Sequence, residues 1–566
     1  MGLDIKILKI AKGEKKAPLV LKNGNIIDVF TGRIIKNDIA ISGDKILGIG
    51  VYTGIKEIDC SNKYITSGLI NCHCHVESSM VTPNIYALEE LLWGTTTIIT
   101  DPHEIANVAG NDGIDYMLSY CGKLPLNYYV QIPSCVPATP FEETGSSLDN
   151  NDLFQYHGHP WVIGLGEMMN VPGVINGDSL VWDKLNDYQD TIIDGHSPGL
   201  SGNSLNAYIL GGIQTDHEST NFDEAIEKLS KGLSILVREG SACKNLVNIL
   251  SGFIKENLDT TNMAFCTDDK HLEHIRKEGS IAHCIRLSIK MGLSPIKAIQ
   301  MATINGARIY GLKKQGAIAP GYIADIAIWD NLEDMKVNKV IKSGEIVVEN
   351  GMYIGETPRR EPVINRISHS VKTPTLTKDS FTLIEKEKYP VINIITGEIL
   401  TKLDFISYDN MCKEIGEGTL CKIAVIERYG KSGTIGIGLI RGYGLREGAV
   451  ASTVAHDSHN LMVIGNSRDD MLLAAQRVID LNGGYAYAYN GKIEGEVPLP
   501  IAGLMSNMTQ IEINNSISGI ISTIRSHGVG TDIDPLITLS FMALPVIPEV
   551  RITNYGMFDC VNFKFI

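Results

Sequence analysis

The chain has 566 residues, of which 44% are hydrophobic and 20% charged, a composition typical of a globular protein with a substantial buried core. Its formal net charge of −15, from 50 basic and 65 acidic residues, argues against a nucleic-acid-binding protein, because phosphate binding needs an excess of Lys and Arg. A small uncharged substrate remains compatible with that charge.

The N-terminus gives no sign of export or lipid attachment. Residues 1–6 have neither a long apolar core nor a small-residue cleavage site, and position 6 is Lys where a myristoylation signal has Ser or Thr. No uncharged apolar run of about 18 residues occurs, so no membrane helix is predicted. The eleven cysteines show no regular spacing, and we expect a cytoplasmic protein with reduced thiols and no membrane partner.

Short alternating strands begin the chain and recur much later. Residues 18–62 alternate apolar and polar side chains between glycine turns, a pattern typical of antiparallel strands. Residues 325–329 and 340–348 repeat the pattern. We predict one small β-sandwich domain, built from residues 1–67 and 312–370 on both sides of an inserted domain.

Between these stretches, apolar runs alternate with helical segments, which favours βα units and a parallel sheet. Thr82 and Pro83 begin one such helix as N-cap and first residue, and the run at 95–100 suits a buried strand. Eight runs predict an α/β fold, a (β/α)8 barrel of the TIM type over residues 68–311. They cover residues 64–70, 95–100, 128–132, 161–165, 191–193, 212–214, 233–237 and 263–266.

The last third of the chain differs from the barrel region. Residues 355–380 are rich in Pro, Thr, Lys and Arg, which indicates a linker. From about residue 383 the sequence is Gly-rich and mixes strand and helix patterns. We predict a C-terminal α/β domain over residues 371–566, with one strand at 450–454.

Candidate metal ligands stand at the C-terminal ends of five apolar runs. His73 and His75, at i and i+2 on a strand, project to one face and make half of a metal site. A single His or Asp at a strand's end is more often a turn or a cap, so the case depends on the whole set. That set is His73, His75, Glu167, His196, His217 and Asp268, with Asp269 as the alternative to Asp268.

Chemistry in such barrels lies at the C-terminal face of the strands. Imidazoles and carboxylates, one of them bridging, suit Zn(II), Mn(II) or Fe(II), and the ligand set does not choose among them. Two such ions about 3.5–4 Å apart can share a hydroxide and activate it near neutral pH. The sequence therefore predicts a hydrolase with a binuclear metal centre.

Two other hydrolase chemistries fit less well. The mononuclear zinc deaminases need a P-C-x-x-C motif, which the chain lacks. Ser458 lies in a His- and Asp-rich cluster at 456–460, but no G-x-S-x-G elbow surrounds it. That cluster could close over the metal site, or it could be a turn of self-bonding polar residues.

The order of these motifs resembles the amidohydrolase superfamily: His-x-His after the first strand, a bridging group after the fourth, His after the fifth and sixth, and Asp after the eighth. Many members bridge with a carbamylated Lys, whereas Glu167 is similar to the bridge of adenine deaminases. The resemblance to the adenine deaminase family covers nearly the whole chain. It is carried by residues 75–80, 100–108, 194–199, 215–218, 455–460 and 496–504.

The resemblance implies hydrolysis of adenine to hypoxanthine and ammonia by a metal-activated hydroxide, as in purine salvage, with two Mn(II) or Fe(II) ions and Zn(II) as an alternative. It implies that Glu167 bridges the ions and that Asp268 moves the proton as general base and acid. A homo-oligomer, most simply a homodimer, is the expected assembly. Residues expected to contact the purine or support the ligands are Glu77, Asp101, His103, Glu104, Asp269, His456, Asp457, Ser458 and His459; capping and salt bridges are their alternative role.

Two other functions stay open. One is a different cyclic-amide hydrolase or aminohydrolase, because one barrel can host many substrates. The other is a catalytically silent binding protein, which would be expected to have lost ligands, whereas every expected ligand position is filled here.

Overall fold

A computed structural model describes residues 5–241, 243–396 and 400–566 of the chain. The first segment forms the short strands that its alternating pattern predicts, preceded by a helix that was not predicted. Their bounds are α1 Lys6–Ala11, β1 Ala17–Asp28, β2 Arg33–Ser42, β3 Lys45–Gly50, β4 Gly54–Asp59 and β5 Tyr64–Ser67. β1 pairs antiparallel with β2, and its other edge pairs in parallel with β4 and β5. The antiparallel prediction is wrong for these two parallel pairings with β1.

The run predicted as one strand at residues 64–70 is two strands, so that prediction was wrong. β5 ends at Ser67, and β6 covers Leu69–Cys74. Gly68 lies at the break, where an added Cβ would come within 2.0 Å of the Thr96 side chain. Because only glycine fits this close approach, the chain can pass here from the first sheet into a second one.

Eight parallel strands with intervening helices follow. The strands are β6 Leu69–Cys74, β7 Thr95–Thr100, β8 Asn127–Ile132, β9 Val162–Met168, β10 Ile192–Gly195, β11 Thr215–Asp216, β12 Ser234–Arg238 and β13 Met263–Cys266. The helices are α2 Pro83–Leu92, α3 His103–Ala109, α4 Asn111–Leu118, α5 Asn150–Phe154, α6 Val171–Asn176, α7 Ser179–Asp187, α8 Gly202–Leu210, α9 Phe222–Ser230, α10 Leu246–Glu256, α11 Leu272–Glu278, α12 Ile281–Lys290, α13 Pro295–Met301 and α14 Ile304–Ile309, with a 3-10 turn at Val76–Ser79.

Most of these strands lie where the apolar runs predict them, and β7 and β13 agree at both ends. β9 continues to Met168, so Glu167 lies inside the strand rather than after it. The sixth strand, predicted at 212–214, is instead Thr215–Asp216. Gly212 has a φ of +94°, which is incompatible with a strand, so the predicted run is the turn that follows α8.

The parallel strands form a curled arrangement of two sheets. Their orders are β10-β9-β8-β7-β6 and β11-β12-β13. Hydrogen bonds link the sheets at both seams: the Gln214 amide donates to the Ile193 carbonyl at 3.0 Å, and the Asp268 amide donates to the His73 carbonyl at 3.0 Å. The C-terminal ends of strands from both sheets therefore meet around one point.

Later strands return to the first sheet. They are β14 Ile326–Trp329, β15 Val337–Lys342, β16 Glu345–Glu349 and β17 Met352–Tyr353. β14 pairs antiparallel with β5, and the resulting sheet has nine strands from both sides of the parallel region. The sandwich form and the boundaries 1–67, 312–370 and 68–311 stay predictions.

The C-terminal part begins with sparse regular structure. The predicted linker contains α15 Asn365–Ser368 and a 3-10 turn at Lys378–Phe381. The later elements are β18 Lys388–Ile394, β19 Thr401–Ser407, α16 Tyr408–Gly416, β20 Leu420–Ile426, β21 Ile435–Arg441, β22 Ala449–Ser452, β23 Leu461–Gly465, α17 Arg468–Asp480, β24 Gly484–Tyr489, β25 Lys492–Pro498, α18 Gln510–Ser526, α19 Pro535–Ser540, a 3-10 turn Phe541–Ala543, β26 Val550–Thr553, β27 Gly556–Asp559 and β28 Lys564–Phe565. Eight of the strands form one sheet in the order β19-β18-β21-β20-β23-β22-β24-β25, and β26, β27 and β28 form a second sheet of three strands.

One large apolar core connects the parallel strands with the C-terminal part. It contains Val136 and Met169 from the former and Phe541 and Leu544 from the latter. All eleven cysteines are free thiols, as the sequence predicts. Within the described ranges, no helix is both long enough and apolar enough to cross a membrane.

Candidate metal centre

Glu167 lies at the centre of the predicted ligand set. Its Oε1 atom is 3.2 Å from His75 Nε2 and 3.7 Å from His73 Nε2. Its Oε2 atom is 2.8 Å from His196 Nδ1 and 3.2 Å from His217 Nε2. One carboxylate thus lies between two pairs of imidazoles, the arrangement that a ligand shared by two ions requires.

Asp268 completes the set from the end of β13. Its Oδ1 atom is 2.9 Å from His75 Nε2 and 3.6 Å from His73 Nε2. The residue has a φ of +54°, a region that non-glycine residues rarely adopt and that is often strained at functional sites. Asp269 instead accepts a hydrogen bond from the Ser78 hydroxyl, so the geometry favours Asp268 as the ligand.

The cluster fits metal ions because two of its four histidines have ring nitrogens without a hydrogen-bond partner in the described part of the chain. Both ring nitrogens of His73 and of His217 are buried without a hydrogen bond to any residue that the structure describes. Burial disfavours a charged His73, but Asp194, Asp268 and Glu167 outweigh it and raise its pKa to about 9. Divalent ions would supply the same positive charge and satisfy the bare nitrogens, displacing those protons.

Asp101 holds two of the candidate ligands in place through different atoms. Its carbonyl oxygen accepts a hydrogen bond from His75 Nδ1 at 2.8 Å, so in the neutral ring Nε2 is the nitrogen with the free lone pair, and it faces Glu167 and Asp268. Its Oδ2 atom accepts one from the Glu167 amide at 2.9 Å. A Cβ at residue 166 would lie 2.0 Å from Oδ2, so this approach requires Gly166.

Asp194 supports the other histidine of the first pair. Its Oδ2 atom lies 3.8 Å from His73 Nδ1 and accepts a hydrogen bond from the Tyr310 hydroxyl at 2.8 Å. Thr215 donates to the Oδ1 atom at 2.6 Å. A carboxylate behind a ligating imidazole orients the ring and raises its basicity. Sequence reasoning missed Asp194, although it stands two residues before His196.

Glu218 and Arg238 are further polar residues that sequence reasoning did not assign to the site. Arg238 pairs with Glu218 through both Nη atoms, and its Nη1 atom is 2.6 Å from Asp268 Oδ2. Burial alone would raise the pKa of Asp268, but Arg238, His73 and His75 hold it well below its usual range. Both residues stand at strand ends, which is the signal that could have identified them.

A cavity of 40 Å³ lies between the ligands and the C-terminal part. Phe541, Leu544 and Ile547 form its apolar wall. Among the residues predicted to contact substrate, those lining it are His103, Glu104, Asp269, His456 and Asp457. A larger cavity of 610 Å³ shares Met169 and His196 with it.

Glu104 joins the two parts of the molecule beside this cavity. Its carboxylate accepts hydrogen bonds from His456 Nδ1 at 2.5 Å and from His459 Nε2. These three residues resemble a metal site in composition, but His459 Nδ1 accepts a hydrogen bond from the Ala455 amide at 3.1 Å. His459 must then carry its proton on Nε2, so that nitrogen has no lone pair for a metal.

The other predicted contact residues lie outside the cavity. Glu77 is buried and accepts a hydrogen bond from the Ile105 amide at 3.3 Å, and burial raises its pKa to about 7. Ser458 is buried, and its carbonyl oxygen accepts a hydrogen bond from the Tyr429 hydroxyl. Glu77, Ser458, His459 and Asp101 thus surround the site rather than line it.

Comparison with known proteins places this geometry in a family. A model described as "Amidohydrolase family" matches residues 64–347, and one described as "Adenine deaminase C-terminal domain" matches residues 393–564. The parallel strands and the His and carboxylate cluster at their ends define a member of the amidohydrolase family, whose metal-dependent chemistry the cluster fits.

Full-length relatives narrow the family assignment further. "Adenine deaminase" from Clostridium acetobutylicum is 45% identical over 565 residues, covering 98% of each chain. Proteins of the same name from Petrotoga mobilis and Kosmotoga olearia are 42% and 43% identical, covering 99% of this chain and 98% of their own. The chain belongs to the adenine deaminases.

Proposed function

We propose that the chain hydrolyses adenine to hypoxanthine and ammonia at a centre of two divalent ions. Full-length relatives named for this reaction support the substrate. The main observation in support of the metal centre is the position of Glu167, which lies between His73 and His75 on one side and His196 and His217 on the other. The runner-up, another cyclic-amide hydrolase, has no observation in its favour.

We infer that the eight parallel strands close into one (β/α)8 barrel. The amide–carbonyl bonds at both seams support closure, as does the meeting of the strand ends around Glu167. In such barrels the C-terminal ends of the strands carry the chemistry, which is where the ligand set lies. The N- and C-terminal parts are then a β-sandwich over 1–67 and 312–370 and a separate domain over 371–566.

We assign His73, His75, Glu167, His196, His217 and Asp268 as the residues that hold the two ions. The donors are imidazoles and carboxylates without a thiolate, which suits Mn(II) or Fe(II), with Zn(II) as the alternative. When bound, such ions lower the pKa of a shared water and polarise the group under attack.

The protein's own groups move the proton. Asp268 accepts it from the attacking water and delivers it to the exocyclic nitrogen, which leaves as ammonia. Arg238, which is itself paired with Glu218, holds the Oδ2 atom of Asp268, so that Oδ1 stays directed at the reaction. The low pKa imposed by Arg238 keeps Asp268 ionised, as a metal ligand and a proton acceptor must be. Once protonated, a carboxyl group with a low pKa readily gives its proton to the more basic departing amine.

The substrate requires movement at the cavity wall. A volume of 40 Å³ holds about three water molecules, less than a purine needs. Met169 and His196 line both this cavity and the larger one of 610 Å³. We propose that adenine enters through the larger cavity, passing Met169. The homodimer and the cytoplasmic location stay predictions.

The activity of the protein loaded with each metal in turn tests the proposal. Protein freed of metal by a chelator and reloaded with Mn(II), Fe(II) or Zn(II) is assayed for conversion of adenine to hypoxanthine by absorbance. We expect activity to rise with loading up to about two ions per chain. Full activity of the metal-free protein, or turnover of dihydropyrimidines but not of adenine, would contradict the proposal.

A further inference from the structure

Two consecutive residues of the C-terminal part line the cavity and carry polar atoms that have no partner among the described residues. His456 and Asp457 are both buried and both line the cavity. Asp457 Oδ2 is buried without a hydrogen bond to any described residue. His456 uses Nδ1 for Glu104, and its Nε2 atom bonds to nothing in the described ranges. A buried polar atom such as Asp457 Oδ2 usually has a ligand or water as partner.

The surroundings fix the direction and the chemistry of His456. Its ring stacks on Phe541 with centroids 5.0 Å apart, and its backbone amide donates to the Ser540 carbonyl at 3.0 Å. Because the Glu104 carboxylate can only accept, Nδ1 carries a proton. Burial lowers the pKa of His456, but Glu104 outweighs it and raises the pKa to about 9. The free Nε2 is therefore a donor, whereas Asp457 offers an acceptor.

His103 shows how far this pair lies from the metal ligands. Its Nδ1 atom is 3.2 Å from Glu167 Oε1, and its Nε2 atom is 3.9 Å from Asp457 Oδ1. The pair thus lies one imidazole ring beyond the bridging carboxylate. A purine that lies beside the His103 ring with C6 at the candidate metal ligands would extend its opposite edge toward His456 and Asp457. On this edge of adenine, N3 accepts a hydrogen bond and N9–H donates one.

We propose that His456 and Asp457 recognise the purine edge remote from C6, with His456 Nε2–H donating to N3 and Asp457 accepting from N9–H, and that Glu104 positions His456. This proposal rests on the adenine deamination proposed above. It gives the C-terminal part a role in substrate specificity, which the barrel ligands alone do not supply.

Comparison of adenine with 3-deazaadenine, which has C–H in place of N3, tests the His456 contact. The ratio of kcat/KM for the two compounds is measured in the metal-loaded wild type, in His456→Leu and in His527→Leu. His527 is a matched control, because it too pairs with carboxylates of the C-terminal part, Glu447 and Glu494, but lies away from the cavity. Replacement of N3 by C–H also alters the intrinsic reactivity of the ring. That alteration is common to all three proteins, so it cancels when their ratios are compared.

A hydrogen bond from a charged donor predicts that the ratio falls about 10- to 100-fold in His456→Leu and stays unchanged in His527→Leu. Affinities for hypoxanthine and 3-deazahypoxanthine should show the same difference without any chemical step. Asp457→Leu should raise KM for adenine, while Asp457→Asn, which keeps an acceptor, should recover part of the loss. Metal content should stay at about two ions per chain in each variant.

An unchanged ratio in a folded, metal-loaded His456→Leu would overturn the proposal. The proposal would also fail if His456→Leu changed only the ratio of kcat/KM for adenine and 7-deazaadenine, which has C–H in place of N7, because His456 would then contact a different edge. If the metal-loaded wild type leaves adenine intact, it is the proposed function that fails. If the wild type deaminates adenine but His456→Leu leaves the kcat/KM ratio unchanged, the proposed edge recognition fails and the proposed function stands.

Discussion

Two clusters of buried histidines and carboxylates lie next to each other in this molecule, and they differ in how their nitrogens are satisfied. At the ends of the parallel strands, His73 and His217 have no hydrogen-bond partner among the described residues. In the C-terminal part, His459 is bonded at both nitrogens, to Glu104 and to the Ala455 amide. We therefore propose that the same residue types hold metal ions in one place and support substrate recognition in the other.

Loss of the bridging residue should have the largest effect. Glu167→Ala removes the one carboxylate that contacts both histidine pairs, so neither ion keeps its shared ligand. We expect adenine deamination to fall by about three orders of magnitude or more and metal content to fall below two ions per chain. Elemental analysis and absorbance assays measure both. Undiminished turnover would contradict the bridging role.

The next largest effect is expected from matched substitutions in the two clusters, which should distinguish their roles. His217→Leu removes a ligand with bare nitrogens, so we expect loss of about one ion per chain and of activity. His459→Leu should keep both ions, because its nitrogens are already occupied.

The cost of His459→Leu should appear in stability instead. Glu104 would lose one of its buried donors, which lowers the free energy of unfolding by about 1–3 kcal/mol. Urea unfolding and elemental analysis of both variants test this contrast. Equal loss of metal from His459→Leu would show that the C-terminal cluster also binds an ion.

A smaller effect is expected from the carboxylate behind His73. Asp194→Asn keeps the size of the side chain but weakens the acceptor that faces His73 Nδ1. We expect metal affinity to fall about 10- to 100-fold while the ions remain bound at saturating metal. Titration of the metal-free variant with Mn(II), compared with the wild type, measures the change. An unchanged affinity would mean that Asp194 acts only through Tyr310 and Thr215.

The six candidate ligands, which the structure brings together, could be picked from the sequence because strand ends leave a local pattern. Apolar runs mark the parallel strands, and the six ligand candidates follow or end them, so periodicity and residue type located the set. The family resemblance, now supported by full-length relatives, supplied the substrate. The first strand was misjudged since its apolar run continues across Gly68, and only the close approach of Thr96 shows why the chain breaks there.

Contacts between distant segments could not be predicted in this way. Glu104 meets His456 and His459 across more than 350 residues, and nothing in the local pattern of either segment specifies the pairing. Asp194 and Arg238 were passed over for a related reason. Their roles depend on which atom faces the neighbouring ligand, as in the 3.8 Å separation of Asp194 from His73, rather than on residue type alone.

Anomalous X-ray diffraction from crystals of the Mn(II)-loaded enzyme, collected at the Mn absorption edge, tests the central claim most directly. We predict two peaks about 3.5–4 Å apart, one beside His73 and His75 and one beside His196 and His217, with Glu167 between them. A single peak at the strand ends, or a peak between His456 and His459, would contradict the account.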